Sequence, residues 1–314
     1  MSEKTVKVLI STSSFGLGST APLDKLDEEG VKWVRNPYGR TLTEDEAASL
    51  VEGLDGLIAG TEPITKRVLG KAKRLQVISR VGVGTDNIDL CEASRLGIQV
   101  TTTPDSPTQA VAELTLGGLL TLLRRIHRMD DCLHKGFWKR ESGPLLFEKT
   151  VGIIGLGRIG KRIVELLKPF HTTILFCDVA PDYDWAYSNG LKQVQLAELL
   201  RRCDIVTIHV TKSSSSSFIL GQNQIDLLRE GSYLVNTARG GLIDEVALLN
   251  ALNSGQIAGA YLDTFGREPY VGPLQGCEKV LLTPHAGSSA FEARNAMEME
   301  AVQNVLRCLT REVP

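Results

Sequence analysis

The stretch Val151-Gly-Ile-Ile-Gly-Leu-Gly-Arg-Ile-Gly160 decides how the rest of the chain is read. Its apolar run up to Ile154 is that of a buried strand, and Gly155, Gly157 and Gly160 follow at G-x-G-x-x-G spacing. Beyond them Ile163, Leu166 and Leu167 share one helical face. Strand, glycine turn and helix form a dinucleotide cradle. The glycines supply a tight turn, close backbone approach to a pyrophosphate, and close helix–strand packing. The helix N-terminus adds unpaired N–H groups and a partial positive charge, and the cradle's contacts fall on Gly155, Gly157 and Gly160. A glycine-rich turn can also be only a turn, so the acidic residue ending the next strand decides. Asp178 ends the strand predicted at 172–178, and 178 − 160 places it 18 positions past the last glycine. A carboxylate there takes the two ribose hydroxyls. A 2′-phosphate in its place would be repelled by about 4 kcal/mol at ~4 Å and an effective dielectric near 20. Val179-Ala-Pro181 brings no cation to offset this. The expected cofactor is NAD rather than NADP.

The bulk properties set wider bounds. The 314 residues suffice for two domains, with 42% apolar and 23% charged residues. A net charge of −2 gives no reason to expect a nucleic-acid surface or a polybasic membrane patch. The six cysteines, Cys91, Cys132, Cys177, Cys203, Cys277 and Cys308, have neither C-x-x-C nor zinc spacing. No metal site is expected, and a reducing cytoplasmic setting fits. Met1-Ser-Glu-Lys4 leads into a strand without the apolar segment of a signal peptide. No apolar run reaches the ~20 residues of a membrane span.

Upstream of the glycine turn, strands are predicted at 6–10, 56–59, 76–79 and 98–101. Helices are predicted at 23–29 and 43–51, and just after Thr65. Such alternation argues for a parallel sheet covered on both faces, and residues 13–45 are the least patterned part of it. After the strand predicted at 76–79, Arg80-Val-Gly-Val-Gly-Thr-Asp-Asn87 places two glycines at a strand end. Backbone N–H groups there either meet an anion or simply turn the chain. Ser106 as N-cap, Pro107 at N1 and Gln109 at N3 are expected to start an apolar helix over 110–126 with a capping box. That helix is either core or a subunit contact, and residues 127–147 suit an arm packing on a partner subunit. Downstream, strands are expected at 204–210, 232–236, 259–263 and 280–283. Helices are expected at 196–202, 222–229, 242–252 and 291–309, with Lys212 and the run Ser213 to Ser217 as polar loop.

In open parallel sheets, ligands bind outside the carboxyl ends of the strands. Arg239 follows one predicted strand, flanked by glycines; Asp263 ends the next, with Glu268 five residues on; His285 follows the last. Arginine, glutamate and histidine together suit hydride transfer. The histidine moves the alcohol proton, the glutamate fixes its ring, and the arginine's fork holds a carboxylate. Taken singly, His285 can be a core histidine, Arg239 a partner of Asp244, and Glu268 a surface residue before Pro269.

With these residues in hand, the chain resembles the D-isomer-specific 2-hydroxyacid dehydrogenases over essentially its whole length. The motifs are Val81-Gly-Val-Gly-Thr-Asp-Asn-Ile-Asp89, Gly152-Ile-Ile-Gly-Leu-Gly-Arg-Ile-Gly160, Asn236-Thr-Ala-Arg-Gly-Gly-Leu-Ile-Asp244, Leu262-Asp-Thr-Phe-Gly-Arg-Glu-Pro269 and Pro284-His-Ala-Gly-Ser288. The resemblance implies that Arg239, Glu268 and His285 are catalytic. It implies further cofactor contacts at Thr108, Arg158, Ile159, Val210, Thr237, Ala238 and Asp263, and substrate contacts from the backbone around Val83 and Gly84. It also implies an α/β fold with a Rossmann-type doubly wound parallel sheet over 104–285 that binds NAD. A smaller, discontinuous, flavodoxin-like substrate domain would span 1–103 and 286–314, with the active site in the interdomain cleft. Homodimers joined through the cofactor domain are usual in that family.

For the substrate, Arg80 ahead of Val-Gly-Val-Gly resembles the phosphoglycerate dehydrogenase branch, where a cation helps hold phosphate. Pro107-Thr108 is closer to the glyoxylate/hydroxypyruvate reductases. The sequence ends at Pro314 without a C-terminal serine-sensing domain. The expectation is a short enzyme interconverting 3-phosphoglycerate and 3-phosphohydroxypyruvate with NAD, with Arg80, Val83 and Gly84 at the substrate. Two readings from other classes compete. One is an NAD-sensing co-repressor-like interaction protein; the other is a nucleoside hydrolase with tightly held NAD, against which the Arg239, Glu268 and His285 set argues.

Overall fold

The computed structural model describes residues 6–211 and 218–309. Met1–Lys4 and the Lys212 and Ser213 to Ser217 loop fall outside the described residues. In chain order the first elements are β1 (Lys7–Ile10), α1 (Ala21–Glu28), β2 (Lys32–Arg35), α2 (Glu44–Leu50), β3 (Gly56–Ala59), α3 (Lys66–Lys71), β4 (Val77–Arg80), α4 (Leu90–Arg95) and β5 (Gln99–Thr101). Then come α5 (Thr108–Leu123), α6 (Ile126–His134), β6 (Thr150–Ile154), α7 (Arg158–Leu167), β7 (Thr173–Cys177), α8 (Tyr183–Ser188), β8 (Lys192–Gln193), α9 (Leu196–Arg202) and β9 (Ile205–Ile208). The last are α10 (Gln222–Ile225), β10 (Ser232–Asn236), α11 (Glu245–Ser254), β11 (Ile257–Leu262), β12 (Val280–Leu282) and α12 (Phe291–Leu309). None of the described helices is long and apolar enough to cross a membrane.

The chain divides into two units, one of Met1–Pro107 with Ser288–Pro314 and one of Thr108–Gly287. The first is built on a five-stranded parallel sheet in the order β2-β1-β3-β4-β5. This is the flavodoxin-like order. Successive residues of β1 face opposite layers. Val8 and Ile10 pack with α1 and α12 through Leu26, Met297, Val302 and Val305, whereas Leu9 packs on the other face with Ala47, Val68 and Leu69. Both faces are therefore apolar, and the central strands read as continuous runs rather than alternating ones.

The second unit holds a seven-stranded sheet, all parallel, in the order β12-β11-β10-β9-β6-β7-β8. Counted from β6 this is the Rossmann order 3-2-1-4-5-6 with one further strand. The order reverses between β6 and β9, and a ligand crevice lies at such a reversal. One face packs on α5 and α7 (Leu119, Leu122, Leu123, Ile163, Val164) and the other on α9 and α11 (Leu199, Leu200, Leu248, Leu252). Gly118 brings α5 against the sheet: a Cβ there would lie 2.1 Å from the Tyr261 ring. That face of α5 is core.

Three local expectations are corrected. The capping box at Ser106 does not form: Ser106 Oγ donates to Glu300 (2.7 Å), and the Gln109 side chain bonds Glu113 and Arg162. Charged partners brought in by folding outcompete the local cap. The long helix over 110–126 ends at Leu123, because Arg125 adopts a left-handed φ of 53° and α6 starts a new direction. The helix expected over 222–229 is regular only to Ile225, and turns carry the chain from there to Arg229.

Candidate active site

Because the strands of the second sheet are parallel, their carboxyl ends share one edge. At the end of β6, Gly155 has φ 95°, and a Cβ on it would lie 2.5 Å from the His209 carbonyl oxygen. A Cβ on Gly160, in the first turn of α7, would lie 2.2 Å from the Gly155 carbonyl oxygen. Gly157 is the N-cap of α7, and nothing lies within 4 Å of the place its Cβ would take. Two glycines thus permit the turn and the helix packing, while the third leaves an open approach to the N-terminus of α7, where Arg158 and Ile159 begin the helix.

Asp178, just past β7, is held over this turn. Its Oδ2 accepts from the Leu156 N–H (2.6 Å) and its Oδ1 from the Ala180 N–H (2.8 Å). Each oxygen keeps acceptor capacity for a hydroxyl. Thr108 opens α5, and its hydroxyl oxygen is buried without a hydrogen-bond partner. The open glycine cradle, the fixed carboxylate and the unmatched hydroxyl all fit a dinucleotide. Val210 follows β9 and is half-buried. Thr237 and Ala238 follow β10, with the Thr237 hydroxyl hydrogen-bonded to Thr115 (2.7 Å).

The edge also carries Arg239, Glu268 and His285. Asn236, the last residue of β10, clamps the following turn: its Oδ1 accepts from the Ala238 N–H (3.1 Å) and its Nδ2 donates to the Arg239 carbonyl (2.9 Å). A Cβ on Gly240 would lie 1.7 Å from the Phe265 carbonyl oxygen. Only glycine lets the Arg239 turn close against the loop that bears Glu268. There the Phe265 N–H donates to Glu268 Oε1 (3.0 Å), and Glu268 Oε2 meets His285 Nδ1 at 2.8 Å. Burial raises the Glu268 carboxyl. The hydrogen bond from His285, the Phe265 N–H and the charges of His285 and Arg239 outweigh it, leaving the group below its usual value.

His285 sits in a left-handed turn, φ 53°, which a histidine adopts only when its surroundings enforce it. Asp263 provides the enforcement. Its carbonyl accepts the His285 N–H (2.8 Å), and its carboxylate accepts the Ala286 N–H (2.7 Å), the Gly287 N–H (2.9 Å) and the Thr283 hydroxyl. Asp263 is wholly buried, so its carboxylate is committed to holding the histidine turn. Burial pushes that carboxyl up, against the lowering by these donors.

Sequence reading passed over Asn236 as a clamp and Asp263 as a support, because both roles depend on contacts between loops. It also passed over His209, which follows β9 beneath the glycine turn. His209 Nε2 bonds the Thr207 hydroxyl (2.7 Å), and burial depresses the ring to about 3, so it stays neutral. No pattern of spacing marks such a histidine.

Arg80, Val83 and Gly84 belong to the first unit, where Arg80 ends β4. Gly82, at φ 135°, donates its N–H to Thr103 Oγ1 (2.7 Å). The N–H groups of Val83 and Gly84 donate to no acceptor among the described residues. Arg80 Nε donates to the Gly84 carbonyl (3.1 Å), and its Nη1 lies against the Val81 carbonyl. The guanidinium thus braces the turn that follows its own strand.

The family model for the D-isomer specific 2-hydroxyacid dehydrogenase NAD binding domain matches residues 116–287. The D-3-phosphoglycerate dehydrogenase of Methanocaldococcus jannaschii is 39% identical over 297 residues, covering 90% of this chain and 56% of that protein. The chain thus spans little more than half the length of that relative. The glyoxylate reductase of Thermococcus litoralis is 34% identical over 308 residues, covering 92% of this chain and 93% of that protein. Among solved structures, the TT0316 protein from Thermus thermophilus superposes with a TM-score of 0.89 at 33% identity, covering 98% of each chain. The seven-stranded parallel sheet and its glycine turn define a dinucleotide-binding α/β protein. The chain belongs to the D-isomer specific 2-hydroxyacid dehydrogenase family, and its second unit is the NAD-binding domain of that family.

Proposed function

We propose that the protein interconverts a D-2-hydroxy acid and its 2-keto acid, with Arg239, Glu268 and His285 as the catalytic set. The observation that carries this reading is the 2.8 Å pair of His285 Nδ1 and Glu268 Oε2 at the strand-end edge of the NAD-binding domain. With Nδ1 bonded to the carboxylate, Nε2 of the half-exposed ring is the nitrogen that exchanges a proton with the substrate C2 oxygen. The Arg239 guanidinium is suited to a substrate carboxylate, and in the first unit the N–H groups of Val83 and Gly84 are suited to a carboxylate as well. Bound NAD supplies the complementary chemistry, accepting hydride from C2 in oxidation or donating it in reduction. Gly155, Gly157, Arg158, Ile159, Gly160 and Asp178 would hold it, with Thr108, Val210, Thr237 and Ala238 beside the nicotinamide half.

The substrate we favour is a small unphosphorylated acid of the glyoxylate or hydroxypyruvate class. Arg80, the residue that pointed to phosphate, directs its guanidinium to the carbonyls of its own turn. The 3-phosphoglycerate reading retains the support of the 39% identity to the Methanocaldococcus protein. We also propose a homodimer joined through the NAD-binding domain, as the exposed apolar residues after α5 suggest.

The test is NADH oxidation with glyoxylate, hydroxypyruvate, pyruvate and 3-phosphohydroxypyruvate. Turnover of at least one is expected. His285→Ala should lower kcat by roughly 10²- to 10⁴-fold, the usual share of a general acid–base group, while NADH affinity by fluorescence titration stays within about twofold. Turnover that survives the substitution would remove His285 from the proposed role.

A further inference from the structure

In the first unit the strand order reverses between β1 and β3, the place where a flavodoxin-like sheet opens a ligand crevice. That crevice is occupied by the chain itself. Glu62, three residues past β3 and only 2% exposed, folds its carboxylate back over the strand ends. Both its oxygens accept the Gly60 N–H at 3.1 Å, and Oε1 also accepts the Ser11 hydroxyl from the end of β1. Gly60 must be small for this: a Cβ would lie 2.9 Å from Glu62 Oε2. An N–H at a strand end that would otherwise be offered to a ligand anion is thereby used internally.

The Glu62 loop is joined to the turn that carries Val83 and Gly84. Ala59 accepts the Val81 N–H (2.9 Å), and the Asn87 side chain donates to the carbonyls of Gly60 (3.3 Å) and Glu62 (2.6 Å). Ile64 donates its N–H to the Asn87 carbonyl (2.7 Å) and accepts that of Asp89 (2.9 Å). The two loops are therefore tied together by hydrogen bonds, with the Glu62 carboxylate on one and the Val83 and Gly84 turn on the other.

We propose that Glu62 is a specificity determinant that restricts the substrate to acids carrying a single negative charge. This rests on the assignment of the Val83 and Gly84 turn to the substrate carboxylate. A second anion on C3, whether phosphate or carboxylate, meets the field of a carboxylate that cannot move away and is little screened by solvent.

The experiment compares kcat/KM for hydroxypyruvate and 3-phosphohydroxypyruvate in the full-length enzyme with NADH. The wild type should prefer hydroxypyruvate by about tenfold or more, the scale expected for one like charge at close range in a partly buried site. Glu62→Gln should reduce that preference by about tenfold through a gain on the phosphorylated substrate, with hydroxypyruvate changed by less than about threefold. Glu62→Asp retains the charge with altered packing and should keep the preference, which separates charge from loop distortion should Glu62→Gln be unstable. A wild type that prefers the phosphorylated acid, or a ratio equal in the wild type and the Gln variant, overturns the proposal. Turnover of neither acid, nor of glyoxylate or pyruvate, would instead count against the proposed function itself.

Discussion

Glu268 illustrates how a side chain's setting fixes when it works. Its folded value lies below that of an unpaired glutamate, about 4.3. A carboxyl lowered on folding contributes its pairing fully above the unfolded value and loses it as pH falls through the folded one. The Glu268 carboxylate therefore remains ionised above its ordinary value, and an acid loss due to it belongs below about 4.3. Glu268→Gln should lower kcat/KM by roughly 10- to 100-fold at pH 7 and abolish that acid limb. A pH–rate profile of both enzymes checks this, and an acid limb that persists in the variant would assign it to another group. In the proposed NAD site Asp178 is the group that would set cofactor choice, by the same logic of fixed charge. Asp178→Ala should narrow the preference for NAD over NADP by roughly 10- to 100-fold, the part of the about 4 kcal/mol of repulsion that solvent and salt leave unscreened. Unchanged selectivity would move the determinant elsewhere. At this scale the sequence was legible where one polar residue stands at a strand end, as with Arg239 and His285. It gave no sign of one residue serving another: Asp263 stood out only as a strand-end and cofactor candidate, and its hold on the histidine turn shows once the Ala286 and Gly287 N–H groups are seen on its carboxylate.

Among the elements, legibility followed burial. The central strands β1, β3, β6, β9 and β10 bury nearly every residue and stood out as apolar runs. The edge strand β2, Lys-Trp-Val-Arg, is largely exposed and gave no such signal, and neither did the two-residue β8. The short helices α4 and α8 rest on side-chain caps from Asp89 and Asp182 rather than on an apolar face long enough to show a period. The best-read element, the glycine turn into α7, supports a paired prediction. Gly160→Ala puts a Cβ against the Gly155 carbonyl and should destabilise the domain by about 1–3 kcal/mol, as overpacking does. Gly157→Ala meets open space in the protein. It should leave the thermal midpoint within about 2 °C, a fraction of a kcal/mol, while weakening NAD binding, because the methyl group occupies the pyrophosphate approach. Calorimetry with and without NAD distinguishes the two. Equal losses of stability would mean that the open space at Gly157 is not the cofactor's.

Among the described residues of the second unit, one segment turns several large apolar side chains outward. After α5 has buried Val111, Leu119 and Leu122 in the core, the segment that follows turns its large side chains outward. Ile126 is 49% exposed, Leu133 54%, Phe137 64% and Trp138 81%. Scattered single apolar groups are ordinary on a surface, but several close together in one segment favour the proposed subunit contact. The net charge of −2 does little to keep two copies apart. A specific, stable dimer needs about 800 Å² buried on each partner, and aromatic anchors such as Trp138 carry most of the energy in such contacts. Sedimentation equilibrium at micromolar concentration should therefore report twice the chain mass of 34.2 kDa. Trp138→Glu should shift the equilibrium toward the single chain by at least about tenfold in Kd, since a carboxylate buried without a partner costs more than 1.4 kcal/mol. Circular dichroism should show the variant folded, because Trp138 is not part of either core cluster of its unit. A wild-type chain that sediments as a monomer, or a folded Trp138→Glu variant that associates as tightly as the wild type, would show that this segment is not the subunit contact.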